Sequence, residues 1–238
     1  MANFQGRTGS LNRDYNNLNP SINLKYELND RNFVRFATSI SQTLPEFKEF
    51  APFEYVSPTG RVTKGNPDIE RSNVYNVDLK WEFYPSSEEL ISATAFYKKI
   101  EDPINLAQAR GSAGIFQFYN TGKEANIFGI ELEGRVGFLE NENDENLLNL
   151  TGNVTKMWLT QDLLTNFQYN NKTESSLQGA SDFIINSTLS YSNKKEREFI
   201  ATLSGNYSSD KIFALGNPES FTSSDTLFND EIIEKGFV

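Results

Sequence analysis

Carboxylates, amines and amides stand two residues apart in two stretches of this chain: Asn76, Asp78, Lys80 and Glu82 in the first, Glu131, Glu133 and Arg135 in the second. Side chains at i and i+2 share one face of a strand, so this spacing makes a polar strip suited to ion pairing and hydration. Catalysis has little to work with. None of the 238 residues is histidine or cysteine, which removes Ser-His-Asp chemistry, thiolate metal sites and the commonest zinc ligand. No nucleophile and base sit together in a motif, and no cofactor is called for; the chain reads as a non-enzyme. The acidic runs Glu140 to Glu145 and Asp225 to Glu234 lack the glycine and terminal glutamate of an EF-hand and read as solvated faces.

The elements that carry these strips alternate with period two. From Ala125 to Phe138, the residues Phe128, Ile130, Leu132, Val136 and Phe138 fall on one face, and Glu131, Glu133 and Arg135 on the other. Tyr75, Val77, Leu79, Trp81 and Phe83 oppose the first polar strip in the same way. Strands are expected at Pro20 to Leu28, Asn32 to Ser41, Asn73 to Tyr84, Leu90 to Lys99, Ala125 to Phe138, Leu147 to Trp158, Phe183 to Tyr191 and Glu198 to Tyr207. Weaker ones are expected near Gly9 to Tyr15, Ile115 to Tyr119 and from Lys235, about ten in all. Many reach the roughly 9 to 11 residues that a bilayer-spanning strand needs. Connections alternate too: Asn29 to Arg31, Pro85 to Glu89, Leu139 to Asn146 and Ser192 to Arg197 are short, while Gln42 to Ser72, Ile100 to Gly114 or beyond, Leu159 to Asp182 and Ser208 to Glu234 are long. Short turns opposed to long loops are the arrangement of an outer-membrane β-barrel, periplasmic side against extracellular side. The expected fold is therefore all-β, an antiparallel transmembrane β-barrel segment, with Tyr26, Trp81, Phe83, Phe138, Tyr191 and Phe199 as an aromatic girdle near the short turns.

Composition agrees. A content of 37% hydrophobic residues is low for one deep core, yet a barrel needs only every second strand residue apolar. A net charge of -10 disfavours nucleic acid as a partner, since phosphate binding needs a basic footprint. The start, Met-Ala-Asn-Phe-Gln-Gly-Arg, has no apolar signal-peptide core, so residues 1–238 are expected to be an internal or C-terminal piece of a longer precursor, or a broken reading frame.

An ordered series of motifs resembles the C-terminal barrel of TonB-dependent receptors. Asn19-Pro20-Ser21-Ile22-Asn23-Leu24-Lys25-Tyr26 is similar to that family's Pro-Ser-Leu-Asn-Leu-Lys-Tyr strand start. The run from Arg35 to Glu49, through Pro45 and Phe47, resembles its Arg-x-Ser-x-Ser-x-Thr-x-x-Arg-Pro-x-Phe-x-Glu-Leu segment, with Leu44 for the usual arginine and Phe50 for the usual leucine. Gly65-Asn66-Pro67-Asp68-Ile69 matches its Gly-Asn-Pro-Asp/Glu-Leu loop. Asn76, Asp78 and Glu82 follow where the next strand has its Asn-x-Asp-Leu-x-x-Glu pattern. Phe96-Tyr97-Lys98-Lys99-Ile100, Pro103-Ile104 and Gly129-Ile130-Glu131-Leu132-Glu133 complete the series.

The resemblance implies an outer-membrane location in a Gram-negative bacterium and energy-coupled uptake of a scarce ligand. Its partners would be outer-membrane lipid, a plug domain and TonB through a missing N-terminal part, and a small ligand such as a siderophore, glycan or peptide. Lys80, Glu133 and Arg135 are candidate lumen or plug contacts; the loop aromatics Phe53, Tyr55, Phe116 and Phe118 are candidate ligand contacts. The alternative is an extracellular β-sandwich adhesion or glycan-binding module, which would bury its apolar faces against a second sheet.

Overall fold

In a computed structural model, the described residues are 2–4, 7–9, 16–109, 114–143, 145–193, 197–218 and 228–236. Eight long strands make one antiparallel sheet in simple sequential order: β1 (Ser21–Asn29), β2 (Asn32–Thr43), β3 (Ser72–Phe83), β4 (Leu90–Glu101), β5 (Glu124–Glu140), β6 (Asn146–Asp162), β7 (Phe183–Ser192) and β8 (Ile200–Ser208). The register is continuous across the sheet. One row runs Glu27, Phe33, Glu82, Ser92, Glu133, Asn153, Asn186, Asn206, and the next residue on each strand begins a row facing the other way.

That other face is apolar and uncovered. Leu132 is 57% exposed and Leu203 73%, and Leu24, Leu79, Ile130 and Val154 are exposed beside them. No second sheet packs on it among the described residues, so the sandwich alternative fails: its defining burial is missing. The apolar core lies elsewhere, in the long connections, where Ala107, Leu163, Tyr169, Ile212 and Leu215 form one cluster and Leu106, Phe116 and Ala214 another. An uncovered apolar sheet face opposite a hydrogen-bonded polar one is the inverse of a water-soluble domain and fits a hydrocarbon solvent.

Two aromatic belts bound the apolar face. Near the turns lie Tyr26, Trp81, Phe138 and Phe199, as the alternation leads one to expect. Toward the loops lies a second belt that sequence reasoning missed, Tyr75, Tyr97, Phe128 and Trp158, with Phe128 stacked on Trp158 at 5.4 Å. From Phe128 to Phe138 a strand climbs about 34 Å at about 3.4 Å per residue. Tilted about 40°, that is about 26 Å, the height of the apolar band of an outer-membrane barrel.

Three expectations are corrected. Among the described residues the wall holds eight long strands, not about ten: Ile115–Asn120 pairs with Ile104–Gln108 and Val62–Lys64 in a small four-stranded sheet of the loops. The strand expected from Lys235 instead ends at Glu234 and pairs with Lys211–Ala214, again in the loops. Near the start, Arg7–Gly9 pairs with Ala2–Phe4, whereas positions 10–15 of the expected Gly9 to Tyr15 strand lie outside the described residues, as does Asp225 at the head of the second acidic run.

Candidate functional site

The polar face of the wall is built by the register just described. Glu82 on β3, 6% exposed, accepts a hydrogen bond from Arg35 on β2 at 2.8 Å and lies 3.8 Å from Lys80. Lys80 reaches on to Glu133 of β5 at 3.2 Å, and Ser92 of β4 donates to the same carboxylate at 3.3 Å. The charges tie three strands, and the Ser92 hydroxyl adds the fourth. Asn76 accepts from Lys98 at 2.8 Å and donates toward Ser39 and Ser41, while Glu131 accepts from Asn153 at 3.5 Å. Asp78 takes its place on the same face between Ala37 and Phe96. Arg135 is exposed at its turn-side end. On β1 to β5 this face carries Lys25, Arg35, Lys80, Lys98 and Arg135 against Glu27, Asp78, Glu82, Glu131 and Glu133, so it is highly charged yet balanced.

Two of the motif stretches turn out to be one contact. Phe96 and Gly129 are cross-strand partners, and a Cβ on Gly129 would stand 2.2 Å from the Phe96 ring; the ring lies over bare backbone, which only glycine offers. Tyr97, next in the motif, points to the apolar face and its hydroxyl donates to Asn126.

The loops form one body on the side away from the turns. Pro45 precedes a single helical turn, Phe47–Phe50, in which Glu49 accepts from the Glu46 N–H at 2.9 Å; burial holds the Glu49 carboxyl above its ordinary pKa. Gly65 sits against the Ala51 carbonyl, where a Cβ would be 1.9 Å from the oxygen. Asn66 donates to the Phe118 carbonyl at 3.0 Å and accepts from the Asp68 N–H at 3.0 Å, an Asx turn that Pro67 leaves undisturbed. Thus Pro45, Phe47, Glu49, Gly65, Asn66, Pro67 and Asp68 act together as loop architecture. Pro20 accepts from the Ile40 N–H at 3.0 Å just ahead of β1.

Buried amides clamp the loops further. Asn105 donates to Thr121 at 2.7 Å and to Gln161 at 2.9 Å, and Asn120 bonds both the N–H and the carbonyl of Glu70. Tyr169 donates to Glu231 at 2.6 Å; burial first, and this carboxylate second, push its phenol pKa up. Among the four aromatic ligand-contact candidates, Tyr55 is 56% exposed and Phe53 half-buried, its ring 5.6 Å from that of Phe47, which is 64% exposed. Phe118 is half-buried. Phe116 is a correction: at 3% exposure, wedged edge-on against Phe213, it packs the loop core and offers no face to a ligand.

Residues 2–230 fit the family of TonB dependent receptor-like beta-barrels. The chain belongs to that family. It is a stretch of barrel wall from the outer membrane of a Gram-negative bacterium, and its family comprises transport receptors rather than enzymes. Among solved structures it is similar to the siderophore receptor PirA of Pseudomonas aeruginosa (19% identity, TM-score 0.52, 87% of this chain and 37% of that one). It is also similar to the ferric-catecholate import receptor Fiu of E. coli K12 (14%, 0.54, 91% and 27%) and to the copper transporter OprC (14%, 0.57, 91% and 29%). The chain thus spans about a third of the length of these receptors, and at such identities the likeness is one of fold. No curated protein matches it in sequence.

Proposed function

We propose that this wall belongs to a receptor that captures a scarce small ligand outside the cell and imports it with TonB-coupled energy. The observation that carries the reading is the two-faced sheet: an apolar face between two aromatic belts, a hydrogen-bonded charged face behind it, and a clamped loop body on one rim only. Lipid covers the apolar face. The edge strands β1 and β8 are exposed along their length, and unpaired backbone is not tolerated in hydrocarbon, so further strands of the receptor complete the barrel at both edges. A plug domain within that barrel meets the charged face, and the aromatics Phe47, Phe53 and Tyr55 on the loop body meet the ligand, whether siderophore, metal complex, glycan or peptide.

Energy coupling is tested by offering ferric enterobactin, Cu(II) and a neutral oligosaccharide, each labelled, to cells bearing the intact receptor with and without TonB. Binding of one ligand that survives loss of TonB, with its accumulation abolished, supports import by this route. Accumulation that is equal in both strains contradicts it.

A further inference from the structure

The apolar face has a gap at the loop end of β6. Met157 donates its N–H to the Asp182 carbonyl at 2.8 Å, and Gln161 pairs with Ser175, but the chain between these two contacts dips toward the loop core. There Gln178 donates its N–H to Asn105 at 3.3 Å and its side-chain amide to the Phe213 carbonyl at 2.9 Å. Residues 158–160 therefore have no strand partner on that side among the described residues, and a cavity of about 360 Å³ opens beside them. Trp158, Ala180, Ile212 and Ile233 give it apolar surface, and Lys156 and Lys211 stand on its wall. It belongs to the outward face: Lys156 shares a row with Ile130 and Phe183, and Trp158 shares one with Phe128 of the upper aromatic belt.

We propose that this cavity seats lipid A, the bisphosphorylated glucosamine lipid of the outer leaflet, with an acyl chain against Trp158 and Ile233 and a phosphate at Lys211, backed by Lys156. This goes beyond import and rests only on the apolar face lying in lipid. The cavity is continuous with that face and lies at the aromatic belt, the level of the headgroups, so the leaflet itself supplies the occupant. A lysine at this level lays its stem on apolar surface and offers its ammonium to a headgroup phosphate. The two aspartates on the cavity wall are already engaged. Asp182 accepts from Lys156 and from the Ser209 hydroxyl, and Asp210 accepts from Lys235 and from the Gly236 N–H, both at 2.8 Å. Lys211 is held most loosely, 3.7 Å from Glu234. A part-exposed pair at that separation is worth little, and a charge-assisted hydrogen bond to phosphate is the stronger contact. The phosphates of lipid A carry no cation of their own, whereas that of phosphatidylethanolamine is partnered by its own ammonium.

The test is lipid retention by the intact receptor, stripped of lipid in detergent and read by native mass spectrometry on the folded protein. It is titrated with lipid A, with lipid A freed of both phosphates, and with phosphatidylethanolamine. Lys211→Gln removes the cation, Ala180→Phe fills the cavity and leaves its charges, and Lys99→Gln removes an outward-facing lysine elsewhere, paired with Glu124 at 2.7 Å. Lipid A is retained at one site whose occupancy falls several-fold in Lys211→Gln and in Ala180→Phe and not in Lys99→Gln, and the other two lipids are retained several-fold less. Equal retention of the three lipids, an unchanged occupancy in Lys211→Gln, or an equal loss in Lys99→Gln overturns the proposal. The measurement involves neither TonB nor an imported ligand, so its failure leaves the import reading standing, and a failure of import leaves the lipid site standing.

Discussion

Gly129→Ala is the substitution whose outcome the geometry fixes most sharply. The added Cβ would lie 2.2 Å from Cζ of Phe96 and 2.6 Å from both Cε atoms, so the ring must move by more than an ångström or the strands must part. Overpacking of this kind costs about 1 to 3 kcal/mol. Against it stands the gain of replacing a mid-strand glycine, about 0.5 to 1 kcal/mol. The net is a loss of between about 0 and about 2.5 kcal/mol, the difference of those two ranges. Removing the ring should reverse the sign: in a Phe96→Ala background the three atoms nearest the Cβ are gone, and Gly129→Ala should stabilise. A double-mutant cycle on the intact receptor in lipid, read as urea-dependent loss of the heat-modifiable folded band, measures both numbers. The same cost in both backgrounds would show that the ring does not lie over Gly129 and would remove the reason given for these two motif positions.

Three further outcomes follow from the loops and the topology. Asn120→Ala removes hydrogen bonds to Glu70 and Asp102 and should cost the loop body about 1 to 3 kcal/mol, seen as faster protease cutting within residues 44–71 while the wall keeps its unfolding midpoint. Asp182 is held below the ordinary carboxylate value, first by Lys156 and then by the Ser209 hydroxyl, so its contribution is present above that ordinary value and is lost as pH falls through the lowered one. Trp158, beside Lys156, should therefore change fluorescence in acid below about pH 4, and Asp182→Asn should abolish that acid step; an identical acid step in the variant would rule this out. A cysteine at Thr59 in the loop body should label on whole cells and one at Ser86 in a turn only after the outer membrane is permeabilised, the reverse pattern inverting the topology.

The wall was legible in the sequence because its signal is local: a strand with one face in oil and one in water alternates residue by residue, and β1, β3 and β7 appear within about one residue of their expected starts. At the loop ends of β5 and β6 the alternation misleads. Both strands run on past the upper belt, β6 to Asp162, into a region where Ile127 packs inward and the apolar face is no longer the lipid face. The loop body was not legible. Its contacts join residues far apart in the chain, Gln108 with Leu215 and Asn105 with Gln178, and nothing in either segment announces the other. For the same reason Phe116 passes in sequence for an exposed loop aromatic like Tyr55, and while the alternation places Glu133 on a strip suited to ion pairing, it does not name Lys80 and Ser92 as the partners it bonds. Residue type sets what a side chain can do; only the register says what it meets.

The most direct test of the account is a nitroxide scan along β5 from Phe128 to Val136 in the receptor reconstituted in lipid. Oxygen, which partitions into hydrocarbon, should relax the label most at positions 128, 130, 132 and 136, and a water-soluble nickel chelate should do so most at 131, 133 and 135, the two profiles alternating out of phase. Profiles that rise and fall together, or an oxygen maximum on the glutamate face, would contradict a membrane wall with its apolar face in lipid.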